Sequence, residues 1–212
     1  MTGGPRRPRW PGADLPGRRI FVAAPLPEAA VAAVAEVVER IRAAGVPGGG
    51  RDVRWVRLDG LHLTLRFLGP TLDDRIADAR AATRAAADGV EPFELSIGGG
   101  GTFPPSRPRV LWLGVMDGGP RLASLAGRVE AALVEAGWPV ETRPFQAHLT
   151  LARADGVPAG ARIGARLMEA AAALDVRAWI DRIVLFESLT GGGPARYEPL
   201  ELVALGGPGG RV

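Results

Sequence analysis

The chain has no cysteine. That excludes disulfides, thiolate metal ligands and a cysteine nucleophile. It has no lysine either, since all 26 of its basic residues are arginines. Histidine is almost missing, at two in 212 residues. Two histidines without cysteine or a nearby carboxylate pattern resemble neither a zinc site nor a facial triad, so no metal and no cofactor is expected. No apolar run approaches the ~20 residues of a membrane span. The opening "MTGGPRRPRWPGADLPGRR" has no apolar core of a secretory signal, so a cytoplasmic protein is expected. No G-x-S-x-G elbow is present for a serine hydrolase. The glycine run at 98–101 is not followed by the Gly-Lys-Ser/Thr of a phosphate-binding loop, and it reads as an ordinary loop.

What is present is a globular composition, 47% hydrophobic and 23% charged, with a net charge of +3. A chain of 212 residues suits one large domain or two intimate lobes. Residues 1–17, rich in Gly, Pro and Arg, read as a disordered basic tail; 18–205 read as the folded domain and 206–212 as a flexible end.

"RIFVAAP" reads as a buried strand. A helix follows, with Pro27 near its first turn, Val31, Val34, Val38 and Ile41 as its apolar stripe, and Gly45 as its stop. "VPGGGRD" is a loop, and "VRWVRL" and "LHLTLRFL" are strands. Thr71 is placed to cap a second helix with Leu72, Ile76 and Ala79 inward, ended by Gly89. "FELSI" alternates as a strand, "GGGGTFPPSRPR" reads as a loop and "VLWLGV" as a strand. Helices are expected over about 120–136 and over "ARIGARLMEAAAAL", with the strand "HLTLAR" between them. "AWIDRIVLFESL" and "RYEPLELVAL" close the chain as strands. This order is not a regular β-α alternation and implies an α+β fold of antiparallel strands.

The two histidines share a setting. His62 and His148 each open the tetrapeptide His-Leu-Thr-Leu, one in each half of the chain. Side chains alternate along a strand. His62 and Thr64 therefore share a face, as do His148 and Thr150, while the leucines take the other face. By strict alternation Arg66 joins His62 and Thr64, Phe67 joins the leucines, and Arg153 falls on the leucine side unless the strand bends. The step from i to i+2 spans about 6–7 Å, within reach of one phosphate. Two such strands side by side would offer two imidazoles and two hydroxyls to a shared cleft. That set suits phosphodiester cleavage without a metal: one imidazole accepts a proton from the attacking oxygen and the other protonates the leaving oxygen. The threonines would hold the phosphate oxygens. Arg143 and Phe145, just before the second motif, could meet a phosphate and stack on a base. Trp55 and Trp112 read as core, and Tyr197 as a lid contact.

Paired H-x-T-x motifs resemble those of the 2H phosphoesterase superfamily. Within it the chain resembles the RNA 2′,3′-cyclic phosphodiesterases of the 2′-5′ RNA ligase family. The likeness extends over "RIFVAAPLPE", "RWVRLDGLHLTLRFLG", "GGTFPPSRPRVLWLGV", "RPFQAHLTLAR" and "IVLFESLTGGGPARYEPL". Ala147 departs from it, since the family often has proline before the second histidine. The resemblance implies a bilobal fold of two pseudo-symmetric lobes, mainly antiparallel sheet flanked by helices, with one motif strand from each lining a central cleft. It implies a monomer that hydrolyses 2′,3′-cyclic phosphate ends of RNA or nucleotides to 2′-phosphates, or runs the step backwards as a 2′-5′ ligation. It assigns His62 as the acid, His148 as the base, Thr64 and Thr150 to the phosphate, and Arg153 to the second motif. Another 2H reaction, on an ADP-ribose cyclic phosphate or a 2′-5′ oligoadenylate, and a non-catalytic RNA-end binding module stay open as alternatives.

Overall fold

The computed structural model describes residues 16–43, 52–191 and 194–206. The basic tail up to residue 15, the Gly45 helix stop, most of the "VPGGGRD" loop and the stretch after Gly206 lie outside the described residues.

The strands are β1 (Arg18–Pro25), β2 (Val53–Trp55), β3 (His62–Thr71), β4 (Phe93–Phe103), β5 (Val110–Asp117), β6 (His148–Ala154), β7 (Val176–Ile180), β8 (Arg182–Leu189) and β9 (Arg196–Ala204). The helices are α1 (Glu28–Ala43), α2 (Ile76–Ala87), α3 (Gly119–Glu135) and α4 (Val157–Ala170). Helix α1 buries Val34, Val38 and Ile41 as its spacing predicts, with Glu28 in the first turn and Arg40 and Arg42 in the last, the polarity that the helix dipole favours.

The strands pair antiparallel in the order β7-β4-β5-β6-β3-β1-β8-β9, with β2 beside β6. The expected α+β, two-lobed architecture is found. One lobe holds β3, β1, β8 and β9, and the other holds β6, β5, β4 and β7. A single pair, Leu63 with Leu149, joins them into one curled sheet.

The lobes repeat each other in register. Ala24 pairs with Leu63, Ala23 with Thr64, Val22 with Arg66 and Phe21 with Phe67. In the other lobe Leu113 pairs with Leu149, Trp112 with Thr150, Leu111 with Ala152 and Val110 with Arg153. Each motif strand thus carries one extra residue at its last leucine, Leu65 or Leu151: a β-bulge at the same place in both. The helices interlock. Helix α1 follows a strand of the first lobe but packs on α4 and β7, and α3 follows a strand of the second but packs on α2 and β3.

Several local expectations are corrected. Glycines 98–101 are not a loop but the middle of β4, paired with β5. A Cβ on Gly98 would lie 2.1 Å from the Leu174 carbonyl oxygen, and one on Gly101 would lie 2.2 Å from the Trp112 ring, so close packing requires glycine there. "AWIDRIVLFESL" is two strands that break at Asp181 and pair in different lobes, β7 with β4 and β8 with β1. Thr71 does not cap α2: it ends β3, and its hydroxyl donates to the Gly69 carbonyl oxygen at 3.3 Å. Leu72 is exposed rather than inward.

Candidate active site

The pairing of Leu63 with Leu149 sets the geometry at the junction. One residue outward along these antiparallel strands, His62 stands across from Thr150 and Thr64 across from His148. The imidazoles take two diagonal corners, about 7–8 Å apart at the backbone, and the hydroxyls take the other two. All four side chains line one cavity of about 720 Å³ together with Arg153, Phe21, Phe67 and Tyr197. Neither threonine hydroxyl and no nitrogen of the Arg153 side chain has a hydrogen-bond partner among the described residues.

The bulges decide what else reaches the cavity. After Leu151 the parity of β6 flips, so Leu151 and Ala152 are both buried and Arg153 turns into the cleft. After Leu65 the parity of β3 flips in the same way. Phe67, expected with the leucines, is 44% exposed on the cleft side, its ring 5.5 Å from that of Phe21. Arg66, expected beside His62 and Thr64, borders the cavity, but its guanidinium pairs with Glu130 on α3 and donates to the Pro139 carbonyl oxygen at 2.6 Å. Strict alternation misplaces Phe67 and Arg153 because a bulge leaves no mark in residue type, whereas Arg66 does border the cavity as expected.

Each imidazole is held by the backbone two residues upstream. The His62 Nδ1–H donates to the Gly60 carbonyl oxygen at 2.7 Å, and the His148 Nδ1–H donates to that of Gln146 at 2.8 Å. This fixes the tautomer and leaves Nε2 as the free nitrogen of both rings. Sequence reading missed these two partners, since any residue supplies a carbonyl.

The aromatic surroundings differ. His62 sits 4.9 Å from the Phe21 ring, 6.2 Å from Phe186, and 4.9 Å from Tyr197, which meets it edge-on at 86°. A Cβ on Gly60 would lie 2.9 Å from the Tyr197 ring, so glycine lets that ring seat. Tyr197 is therefore part of the wall around His62, and burial raises its pKa while Arg153 opposes the rise. His148 has Phe103 at 5.1 Å and Trp112 at 6.4 Å. Trp112, read as core, is half-buried behind His148, whereas Trp55 packs on the core as expected.

Burial pushes the pKa of His62 from 6.5 down to about 4. The Gly60 hydrogen bond opposes the fall, and the charges of His148 and Arg153 add to it. Burial also lowers His148, opposed by the Gln146 carbonyl and assisted by Arg153. Burial lowers Arg153 itself; Tyr197 opposes this and the charge of Arg54 adds to it. A cation desolvated in this way gains from a bound anion.

A second cavity of about 700 Å³ adjoins the first and shares Thr64, Arg66, Phe67, Glu141, Arg143 and His148 with it. It opens where β3 diverges from the segment before β6, is backed by Ala123 and Gly127 of α3, and carries Phe145, Phe103 and Arg143. Phe145, 37% exposed, lies here and does not line the first cavity. Among the described residues no group of three or more His, Asp or Glu could hold a metal ion, and no helix is long and apolar enough to cross a membrane.

A model of the 2′-5′ RNA ligase superfamily matches residues 25–192. The chain belongs to that superfamily. Among its curated relatives, the RNA 2′,3′-cyclic phosphodiesterase of Aeropyrum pernix is 35% identical over 127 residues, 59% of this chain and 68% of the relative. The protein of that name from Archaeoglobus fulgidus is 35% identical over 136 residues, 64% of this chain and 72% of the relative. A solved structure of Escherichia coli LigT complexed with 3′-AMP superposes with a TM-score of 0.66 at 25% identity, covering 89% of this chain and 98% of that one. The Thermus thermophilus protein TT0787 gives a TM-score of 0.70 at 26% identity, covering 90% and 99%. In this superfamily member the lobes that the motifs implied are the two halves of the curled sheet.

Proposed function

We propose that the chain hydrolyses RNA or nucleotide 2′,3′-cyclic phosphates to 2′-phosphates, with its two histidines as acid and base. The observation that carries this is the shared cavity, with two imidazoles fixed by backbone carbonyls, Nε2 free on each, and two threonine hydroxyls at the alternate corners. The names of the relatives supply the substrate class.

In the reaction, His148 Nε2 takes a proton from water as the water oxygen bonds to phosphorus. The bond from phosphorus to the 3′-oxygen breaks, and the His62 Nε2–H protonates that oxygen. The products are a 2′-phosphate and a 3′-hydroxyl. Thr64, Thr150 and Arg153 hold the non-bridging oxygens, where charge builds in the transition state. The acid must enter protonated, against its low pKa in the empty cleft. The phosphodiester anion supplies the compensating charge and raises both imidazoles. Phe145 offers a stacking face for a base in the adjoining cavity. Replacing water by a 5′-hydroxyl turns the same step into formation of a 2′-5′ linkage.

The test is product identification from a cyclic-ended RNA in the presence of chelator. A 2′-phosphate should accumulate, and His62→Ala and His148→Ala should each lower kcat by about 10²–10⁴-fold with the fold retained. A 3′-phosphate product, or near-normal turnover in either variant, would overturn the assignment.

A further inference from the structure

We infer that Arg66 is a positioning residue that acts through residues 139–147 on His148, and is not a ligand of the substrate. The inference rests on the proposed reaction for its kinetic consequence and on the structure alone for its geometry.

Residues 139–147 form no helix or strand, and most of them are exposed. Yet this segment delivers the Gln146 carbonyl that fixes the His148 tautomer. Ala147 gives the residue before His148 no proline stiffness, so the segment must be held from elsewhere. Its described hydrogen bonds involve side chains. Arg66 reaches out of the first lobe, donating to the Pro139 carbonyl oxygen at 2.6 Å and pairing with Glu130, with Glu141 3.8 Å away. The other oxygen of Glu130 accepts the Glu141 backbone N–H at 2.7 Å. Glu141 in turn accepts from Arg143, Nε at 3.0 Å and Nη2 at 2.7 Å. The side-chain hydrogen bond from Arg143 holds the Glu141 carboxyl down to about 2 against the effect of burial, and the charges of Arg143 and Arg66 add to the lowering.

The Arg66 side chain is only 10% exposed, and its three guanidinium nitrogens all donate to protein: to Glu130, to Pro139 and to the carbonyl oxygen of Phe67. Three of its five N–H groups are thus committed to protein acceptors, which turns most of its donor capacity away from a phosphate. Arg153, with no such partners among the described residues, keeps its donors for one. The planar fork matters, because a lysine ammonium cannot span these acceptors in one plane.

The chain's two histidines are both in the site, so histidine-selective NMR of the whole protein is simple to read. In Arg66→Met, the His148 imidazole ¹⁵N resonances should move toward a mixed tautomer while those of His62 stay. kcat on a 2′,3′-cyclic nucleotide should fall roughly ten- to hundredfold, as a displaced catalytic group predicts, with KM changed less than about twofold. Glu130→Gln, which keeps Arg66 and the side-chain shape, should show the same pattern more weakly, and it decides the matter if Arg66→Met does not fold. Unmoved His148 resonances, or a raised KM at constant kcat, would overturn the inference and assign Arg66 to substrate. If the unaltered protein leaves cyclic phosphates intact, the proposed reaction fails, and the resonances still judge Arg66.

Discussion

Arg153 faces both imidazoles as a like charge, so its removal should act in opposite directions on protonation and on binding. It lowers both histidines, and it has no partner among the described residues. In Arg153→Met, NMR titration should therefore find both imidazole pKa values raised. KM for a cyclic nucleotide should rise as well, because an anion loses a charge-assisted contact of about 1.5–3 kcal/mol. Lowered imidazole pKa values in that variant would contradict the arrangement. The residues that read correctly from sequence are those whose roles need only alternation over two positions: His62, Thr64, His148 and Thr150 share the cavity as expected. Arg66, Phe67 and Arg153 lie beyond the bulges, and a bulge is a hydrogen-bonding irregularity that residue type does not announce. Phe21 and Phe186, which help to dry His62, looked like ordinary strand residues.

Elements were legible where periodicity ran uninterrupted. Helices α1 and α3 and strands β1, β5 and β6 lie close to their expected places, because a strong apolar pattern marks a buried face whatever packs on it. Strand β4 was legible only over "FELSI", because the four glycines that continue it carry no pattern at all. One cause is tertiary: the ring of Trp112, on the neighbouring strand, occupies the space that a Cβ on Gly101 would need. This ring also stacks on Phe103 at 4.8 Å, and Phe103 meets His148 edge-on. In Gly101→Ala the new methyl group should drive Trp112 off its seat. Overpacking of this kind costs about 1–3 kcal/mol, readable as a lower urea midpoint. Trp112 fluorescence is not isolated among five tryptophans, so the displacement is better followed through the His148 ring resonances. Unchanged stability together with unchanged resonances would show that the ring has room to spare. The break at Asp181 escaped notice because apolar residues run up to it on both sides, and residue type does not announce that the chain crosses there from one lobe to the other.

The molecule as a whole repeats one frame twice, with matched registers and interlocked helices, but dries the two imidazoles unequally. That asymmetry makes pH its most telling variable. His62 titrates near 4 in the fold against 6.5 in an unstructured chain, so between these values the unfolded state binds more protons. Stability should then rise with pH through this window and fall as pH drops from 6.5 toward 4. The loss approaches roughly 3 kcal/mol at about 1.4 kcal/mol per pKa unit, and His148 adds to it with the same sign. Urea melts at pH 7 and pH 5 should show a larger drop for the unaltered protein than for His62→Gln, which has no such proton to bind. Catalysis should respond to the same charges. The bell for kcat/KM reports the free enzyme, where both imidazoles are lowered, so its centre should lie below pH 6.5. The bell for kcat reports the complex, where the bound phosphodiester raises both groups, so it should be displaced toward higher pH. The two limbs of each bell belong to the pair, not to either ring alone. A kcat bell at lower pH than the kcat/KM bell would mean that no anion sits between the imidazoles during turnover, and the shared-cavity mechanism would not survive that result.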